Sequence, residues 1–171
     1  LDITDIYNPK FIQRFWIDGH PEYAVLHQGK IYIACGHAGL FSDAYDMAVI
    51  MQLLLNGGTF NGKRYLQQET IDLFTAYHSN SSRRGLGFDK PEKDNYKRPE
   101  PYPCLSASPK TFGHTGFTGT CTWADPQYNL VYVFLSNRVS PNGTNPLLGN
   151  LNVRPSIQEA IYAAIGAAKT R

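Results

Sequence analysis

In residues 112–120, Phe-Gly-His-Thr-Gly-Phe-Thr-Gly-Thr, one imidazole (His114) and one hydroxyl (Thr115) stand among glycines at 113, 116 and 119. Side chains missing at every third position let a ligand come close to the backbone and leave main-chain N–H groups accessible. A titratable ring and a hydroxyl beside such an opening are groups that acyl-transfer chemistry uses. The same residues also describe a glycine-kinked hairpin with a surface histidine, and the motif alone leaves both readings standing.

Other reactive side chains point to less. Cys35, Cys104 and Cys121 are odd in number and lack C-x-x-C spacing, so no disulfide framework is implied. Cys104, His114 and Cys121 make an incomplete zinc set without a fourth ligand, and no metal or other cofactor is expected. Cys104 reads as a loop or buried thiol, because no histidine is in evident position to activate it. The net charge of +2 is too small to imply a nucleic-acid partner. Arg83-Arg84 and Lys97-Arg98 read as solvated loop charges. An apolar fraction of 42% argues for a packed globular chain, either one domain or part of a larger one. No apolar run reaches the length of a membrane span and no signal peptide is seen. The chain opens on Leu1 without methionine, so it is expected to be processed or a piece of something longer.

Several elements are expected to position the motif. Residues 1–16 show no clean period and read as a loop with a short helix or strand. Asp18 to Glu22 forms a turn, Tyr23 to Leu26 a brief helical turn, and Lys30 to Cys35 a strand or extended approach to a loop. Ser42 caps a helix whose apolar face is Ala44, Met47, Ala48, Ile50, Met51, Leu54 and Leu55, with Met47 and Met51 in the core. Asn56-Gly57-Gly58 ends it. Asn61-Gly62 turns the chain into a second helix, Gln67 to Tyr77, with Ile71, Leu73, Phe74 and Tyr77 inward. The Pro-rich run from His78 to Pro109 crosses the surface as long loop, with Gly85 to Phe88 a short strand within it. Residues 111–139 read as consecutive antiparallel strands turned at Asp125 to Asn129, and Leu130 to Leu135 reads as a central one. Pro155 opens a last helix with Ile157, Ala160, Ile161, Ala164 and Ile165 on one face. The fold class is α+β, helices packed on an antiparallel sheet.

Taken together, these segments resemble the serine β-lactamase and penicillin-binding-protein superfamily, specifically its class C-like branch of lactamases, carboxypeptidases and esterases. Gly36-His37-Ala38-Gly39-Leu40-Phe41-Ser42, leading into the helix that ends Asn56-Gly57-Gly58, is one such segment. Gly113 to Thr120 is similar to the branch's third motif, Lys-Thr-Gly or His-Thr-Gly. Ser136 to Pro141, with Arg154-Pro155 and the last helix, resembles its C-terminal segment, and His20-Pro21-Glu22-Tyr23-Ala24 resembles a motif upstream of the Gly-His-Ala-Gly loop. The resemblance implies a serine that forms an acyl-enzyme with help from a lysine and a tyrosine. It also implies roles on the opposite cleft wall. His114 takes the place of the basic residue, Thr115 offers a hydroxyl to the substrate, Gly116 allows close approach, and Phe117 N–H is one of two oxyanion donors. Because a histidine's charge varies near neutral pH, carboxylate recognition by His114 is expected to be partial. An esterase-like or peptidase-like activity is therefore favoured over efficient penicillinase action.

Two motifs of that family are missing. No serine here has a lysine three residues on, and no tyrosine begins Tyr-x-Asn; Ser140-Pro141-Asn142 matches Ser-x-Asn in form but follows the third motif. Residues 1–171 are accordingly expected to be the C-terminal portion of a single β-lactamase-like domain without a catalytic nucleophile. The complete protein would act on an acyl or peptidoglycan-like small molecule outside the cytoplasm. Its sheet edge, unpaired in this portion, is expected to drive homodimerisation, strand swapping or low stability. The alternative is a non-catalytic binding module that uses the glycine-lined groove for a peptide or glycan.

Overall fold

The computed structural model describes residues 23–27, 30–34, 42–140, 143 and 145–169. Expectations for residues 1–22 and 36–41, and for Cys35, lie outside them. The chain divides into two compact units, Leu1–Phe41 and Ser42–Arg171. In the first, β1 (Tyr23–His27) pairs antiparallel with β2 (Lys30–Ala34). The helical turn expected at residues 23–26 is thus a strand; Val25, Ile31 and Ile33 are β-branched and suit the extended backbone.

The second unit begins with α1 (Ala44–Leu55), capped by Asp43, not Ser42: the Asp43 carboxylate accepts from Asp46 N–H at 2.9 Å. An acid there also meets the positive end of the helix dipole. The glycine stop holds, with Gly57 at φ +64° and Gly58 at +85° beyond the Asn56 cap. Met51 is buried, Met47 half-buried and Ile50 exposed. The short hairpin of β3 (Thr59–Phe60) and β4 (Lys63–Arg64) turns on Asn61 and Gly62, both at positive φ, as its sequence requires. In α2 (Gln68–Thr75) only Ile71 is buried; Leu73 and Phe74, expected inside, are exposed.

Strands β5 (Phe112–Thr115), β6 (Cys121–Asp125) and β7 (Leu130–Phe134) form one antiparallel sheet in that order. The central strand is β6, where β7 was expected. Four of the five β6 residues are buried, whereas β7 is mostly half-buried and its outer edge pairs with no strand among the described residues. Met51 of α1 packs on Phe112 and Ala124 on one face of the sheet. Cys121, Trp123 and Tyr132 lie on the other, with Tyr102 and Ile161 against them. The chain ends in α3 (Leu147–Asn150) and α4 (Val153–Ala164), which begins two residues before Pro155. Pro155 still falls in the first turn, where its missing N–H costs nothing.

Of the aliphatic face expected for α4, Ile161 packs on the core but the rest does not. Ile157 and Ile165 are exposed, while Gln158 and Tyr162 are inside. The cause is Asp125, a buried carboxylate that accepts from Ser108 Oγ (2.6 Å), Ser108 N (3.0 Å), Gln127 N (3.0 Å) and Tyr162 OH (2.7 Å). Four donors compensate its loss of water. Burial and this carboxylate together push the Tyr162 phenol well above its ordinary pKa.

Residues 78–109 also depart from a surface loop. Asp89, Lys90, Asn95, Cys104, Ser106 and Ser108 are all buried. Their polar groups find partners inside: Lys90 Nζ donates to Thr111 O at 3.0 Å, and Asn95 Nδ2 to Cys104 O at 2.8 Å. Gly85 to Phe88 forms no strand. Instead Asp89 exchanges two backbone hydrogen bonds with Gly113 and covers that edge of β5. Nor is Arg83 a solvated charge. It binds both oxygens of Asp89 (2.9 and 3.2 Å), reaches Glu92 at 3.0 Å and stacks on Tyr102. Arg98 pairs with Asp94 at 2.8 Å.

Burial would raise the Asp89 pKa, but hydrogen bonds from Arg83 and Tyr102 outweigh it and hold the carboxyl below its usual range. Asp89 therefore contributes stability that is present above the ordinary carboxylate pKa and is lost as pH falls through the lowered folded value. Denaturant unfolding measured against pH should show an acid-side loss that Asp89→Asn flattens. Parallel curves for the two proteins would mean that Asp89 titrates as it does unfolded.

Candidate active site

The strand carrying His114 and Thr115 ends at a turn, residues 116–119, exposed at 116–118 and closed by Gly119 N–H to Gly116 O at 3.0 Å. Strand alternation sends the two side chains to opposite faces. His114 lies opposite Thr122 on the α1 face and is exposed; Thr115 lies opposite Cys121 and is half-buried on the other. The imidazole is held at both nitrogens. Arg84 Nη1 donates to His114 Nε2 at 2.8 Å, and His114 Nδ1 lies 2.7 Å from Thr115 O. A guanidinium can only donate, so Nε2 accepts and the ring proton sits on Nδ1. The cation beside the motif is therefore Arg84, a residue that reads in the sequence as a loop charge. It lies 30 positions from His114, and no local pattern connects the two.

The turn is fastened from behind. Phe117 O accepts from Arg138 Nε at 2.8 Å, and Thr118 O from Arg138 N at 2.9 Å and Ser136 Oγ at 3.1 Å. Arg154 Nη1 reaches Gly119 O at 3.2 Å and Thr120 O at 3.5 Å. With its carbonyls engaged on that side, the turn leaves Phe117 N–H without an acceptor among the described residues. Such a fixed, unspent donor is what stabilises a developing oxyanion. The Phe117 ring is exposed beneath the Arg138 guanidinium, 4.9 Å from its centroid.

At all three glycines of the motif the protein's own atoms take the space of a side chain; at Gly116 a Cβ would lie 2.3 Å from Thr120 Oγ1. A Cβ on Gly113 would lie 2.0 Å from Thr122 O and 2.8 Å from the Trp123 ring, so this position is filled by the protein's own core. Gly119 sits at φ +94°, and a Cβ there would meet Leu148 at 2.4 Å and Ser136 Oγ at 2.6 Å. Gly119→Ala is expected to lower stability by about 2 kcal/mol through backbone strain and this clash. A melting temperature within error of the parent chain would mean that the turn moves freely.

Cys104 and Cys121 are not nucleophiles in this setting. Burial pushes the Cys121 thiol up to about 11, and burial with the Glu159 charge raises Cys104 further. Among the described residues no group of three His, Cys, Asp or Glu side chains could hold a metal ion, and no helix is long and apolar enough to cross a membrane. Cys104, His114 and Cys121 therefore form no metal cluster.

Comparison with known proteins places the chain in a family. The Beta-lactamase family model matches residues 6–151. Proteins named "Putative D-alanyl-D-alanine carboxypeptidase" from Salmonella enteritidis and Salmonella gallinarum are each 36% identical over 151 residues, covering 88% of this chain and 34% of the relative. The chain thus spans about a third of the length of the curated relatives it matches. A solved beta-lactamase from Mycobacterium bovis superposes with a TM-score of 0.54 at 25% identity, over 72% of this chain and 44% of that one. With a family match across most of its length and the helix-covered antiparallel sheet it has in common with a solved relative, this chain belongs to the Beta-lactamase family.

Proposed function

We propose that residues 113–120 form one wall of an acyl-transfer site in a β-lactamase-related serine hydrolase whose nucleophile lies outside this chain. The observation that carries the reading is the exposed turn, its carbonyls tied back and its Phe117 N–H unspent, beside His114 and the Arg84 cation. Phe117 N–H receives the oxyanion, Thr115 and His114 border the substrate, and Arg84 supplies a cation. Substrates are acyl compounds with a nearby carboxylate, of which peptides ending in D-alanine are one class; the names of the Salmonella relatives support that class. The absence of Ser-x-x-Lys and Tyr-x-Asn from residues 1–171 makes the chain by itself inert in acylation. Our reading also sets the complete protein outside the cytoplasm and gives the open edge of β7 a strand partner, from the rest of the protein or from a second copy.

Intact mass after incubation with a fluorophosphonate or a fluorescent penicillin tests this. The 171-residue chain should stay unmodified, and the longer protein that carries it should gain one adduct on a serine outside residues 1–171. A stable adduct on the chain itself would overturn the proposal, as would a longer protein that binds peptide without ever being acylated.

A further inference from the structure

Between the end of α1, helix α2 and the segment leading into β5 lies a cleft of about 450 Å³ that shares no residue with the turn at 113–120 or with Arg84. Its walls include the buried Phe112 and Ile71 and the half-buried Leu54 and Leu55. One charge stands among these apolar side chains. Lys90, only 2% exposed, belongs to the same lining. Its ammonium donates to Thr111 O at 3.0 Å and lies 4.7 Å from the centroid of the Tyr77 ring. Among the described residues it has no other hydrogen-bond acceptor and no ion pair, although an ammonium carries three N–H groups. The Asp125 charge is felt at Lys90, but the Asp125 oxygens are already taken by four other donors. Burial pushes the amine down to about 8, with the Asp125 charge opposing the shift. A lysine is rarely buried without a counter-charge, because one neutral acceptor does not replace the water that its ammonium gives up.

We infer that this cleft binds a medium-chain fatty carboxylate, its head on the Lys90 ammonium and its chain against Leu54, Leu55, Ile71 and Phe112. A carboxylate supplies the missing counter-charge and accepts the unspent N–H groups. An amine would meet a like charge there, and an alcohol would leave the ammonium unpaired. The rim argues for the same orientation. Gln68 and Asp72, both exposed and bonded to each other at 2.8 Å, stand there with the exposed Lys110. Repulsion from Asp72 sends the head to Lys90 and not to Lys110. At about 30 Å³ per water, the volume holds on the order of fifteen non-hydrogen atoms, enough for octanoate.

Titration of the 15N-labelled chain with octanoate, octylamine, octanol and acetate tests the site. Octanoate should give saturable shifts at the amides of Ile71, Lys90 and Phe112. Each methylene added from butanoate to octanoate should tighten binding about two- to fourfold. Octylamine, octanol and acetate should each bind at least about tenfold more weakly than octanoate. Lys90→Met, which keeps the length of the side chain and removes its charge, should weaken octanoate at least about tenfold and leave octanol within about threefold. If that variant does not fold, the comparison of whole and partial ligands on the parent chain decides by itself. Calorimetry on the longer protein should return the octanoate affinity of the short chain within about threefold. Shifts that stay linear to about 5 mM, octylamine or octanol binding as tightly as octanoate, a Lys90→Met chain that binds octanoate like the parent, or binding by the short chain alone would each overturn the inference. Octanoate has no leaving group and cannot acylate a serine, so the outcome is separable from that of the proposed hydrolase site.

Discussion

Replacing Asp125 by alanine is expected to lower folding stability by about 4 kcal/mol. Its two oxygens satisfy Ser108 N–H, Ser108 Oγ–H, Gln127 N–H and Tyr162 O–H, all in the interior or at its margin. Each orphaned buried donor costs about 1–3 kcal/mol, part of which relaxation and entering water recover. Asparagine should do less harm, since it keeps the shape and one acceptor but turns an NH2 toward donors that need a lone pair. Urea unfolding monitored by tryptophan fluorescence measures both. A double-mutant cycle with Tyr162→Phe should return a coupling of about 1 kcal/mol or more, because the two side chains share one hydrogen bond to a charged group. A loss below about 1 kcal/mol for Asp125→Ala would show that the network is replaceable by solvent.

Phe117→Pro in the longer, acylating protein should slow acylation by about 10²- to 10³-fold, the usual effect of deleting one oxyanion donor. Proline removes the N–H together with the ring, and it falls at the second position of the turn closed by Gly119 N–H to Gly116 O, a position that favours proline. Phe117→Ala keeps the N–H and removes an exposed ring, so it should leave the acylation rate within about threefold of the parent, the change that about 0.6 kcal/mol makes. Single-turnover acylation rates for the pair separate backbone from side chain. Equal rates for parent and proline variant would remove Phe117 from the chemistry.

Local chemistry made part of this structure legible in advance. Asn61-Gly62, the double glycine after α1 and the Asp125 to Asn129 turn appear where their backbone preferences put them, with Asn61 and Asn129 at positive φ. Strand sequence around His114 and Thr115 was equally plain. What escaped was decided by partners far along the chain. The face of α4 follows a phenol bonded to a carboxylate 37 positions away, which leaves Ile157 and Ile165 outside although periodicity favours them. The Pro-rich segment reads as surface because its residues are polar, but Asp89, Lys90 and Asn95 are buried with partners that no window of sequence displays. At the candidate site the residue missed was Arg84, and the glycines at 113 and 119 looked like space for a ligand when Trp123 and Leu148 already occupy it.

The Tyr162 to Asp125 bond also bears on the order in which the polypeptide can assemble as it is made. The β6–β7 hairpin emerges from the ribosome well before α4, and at about 5–20 residues per second the interval is a few seconds. Throughout that interval the carboxylate lacks its phenol and the hairpin lacks its covering helix on one side. Nascent chains arrested short of residue 162 should therefore stay open to proteases and chaperones, and only a length that frees α4 from the exit tunnel lets the sheet close.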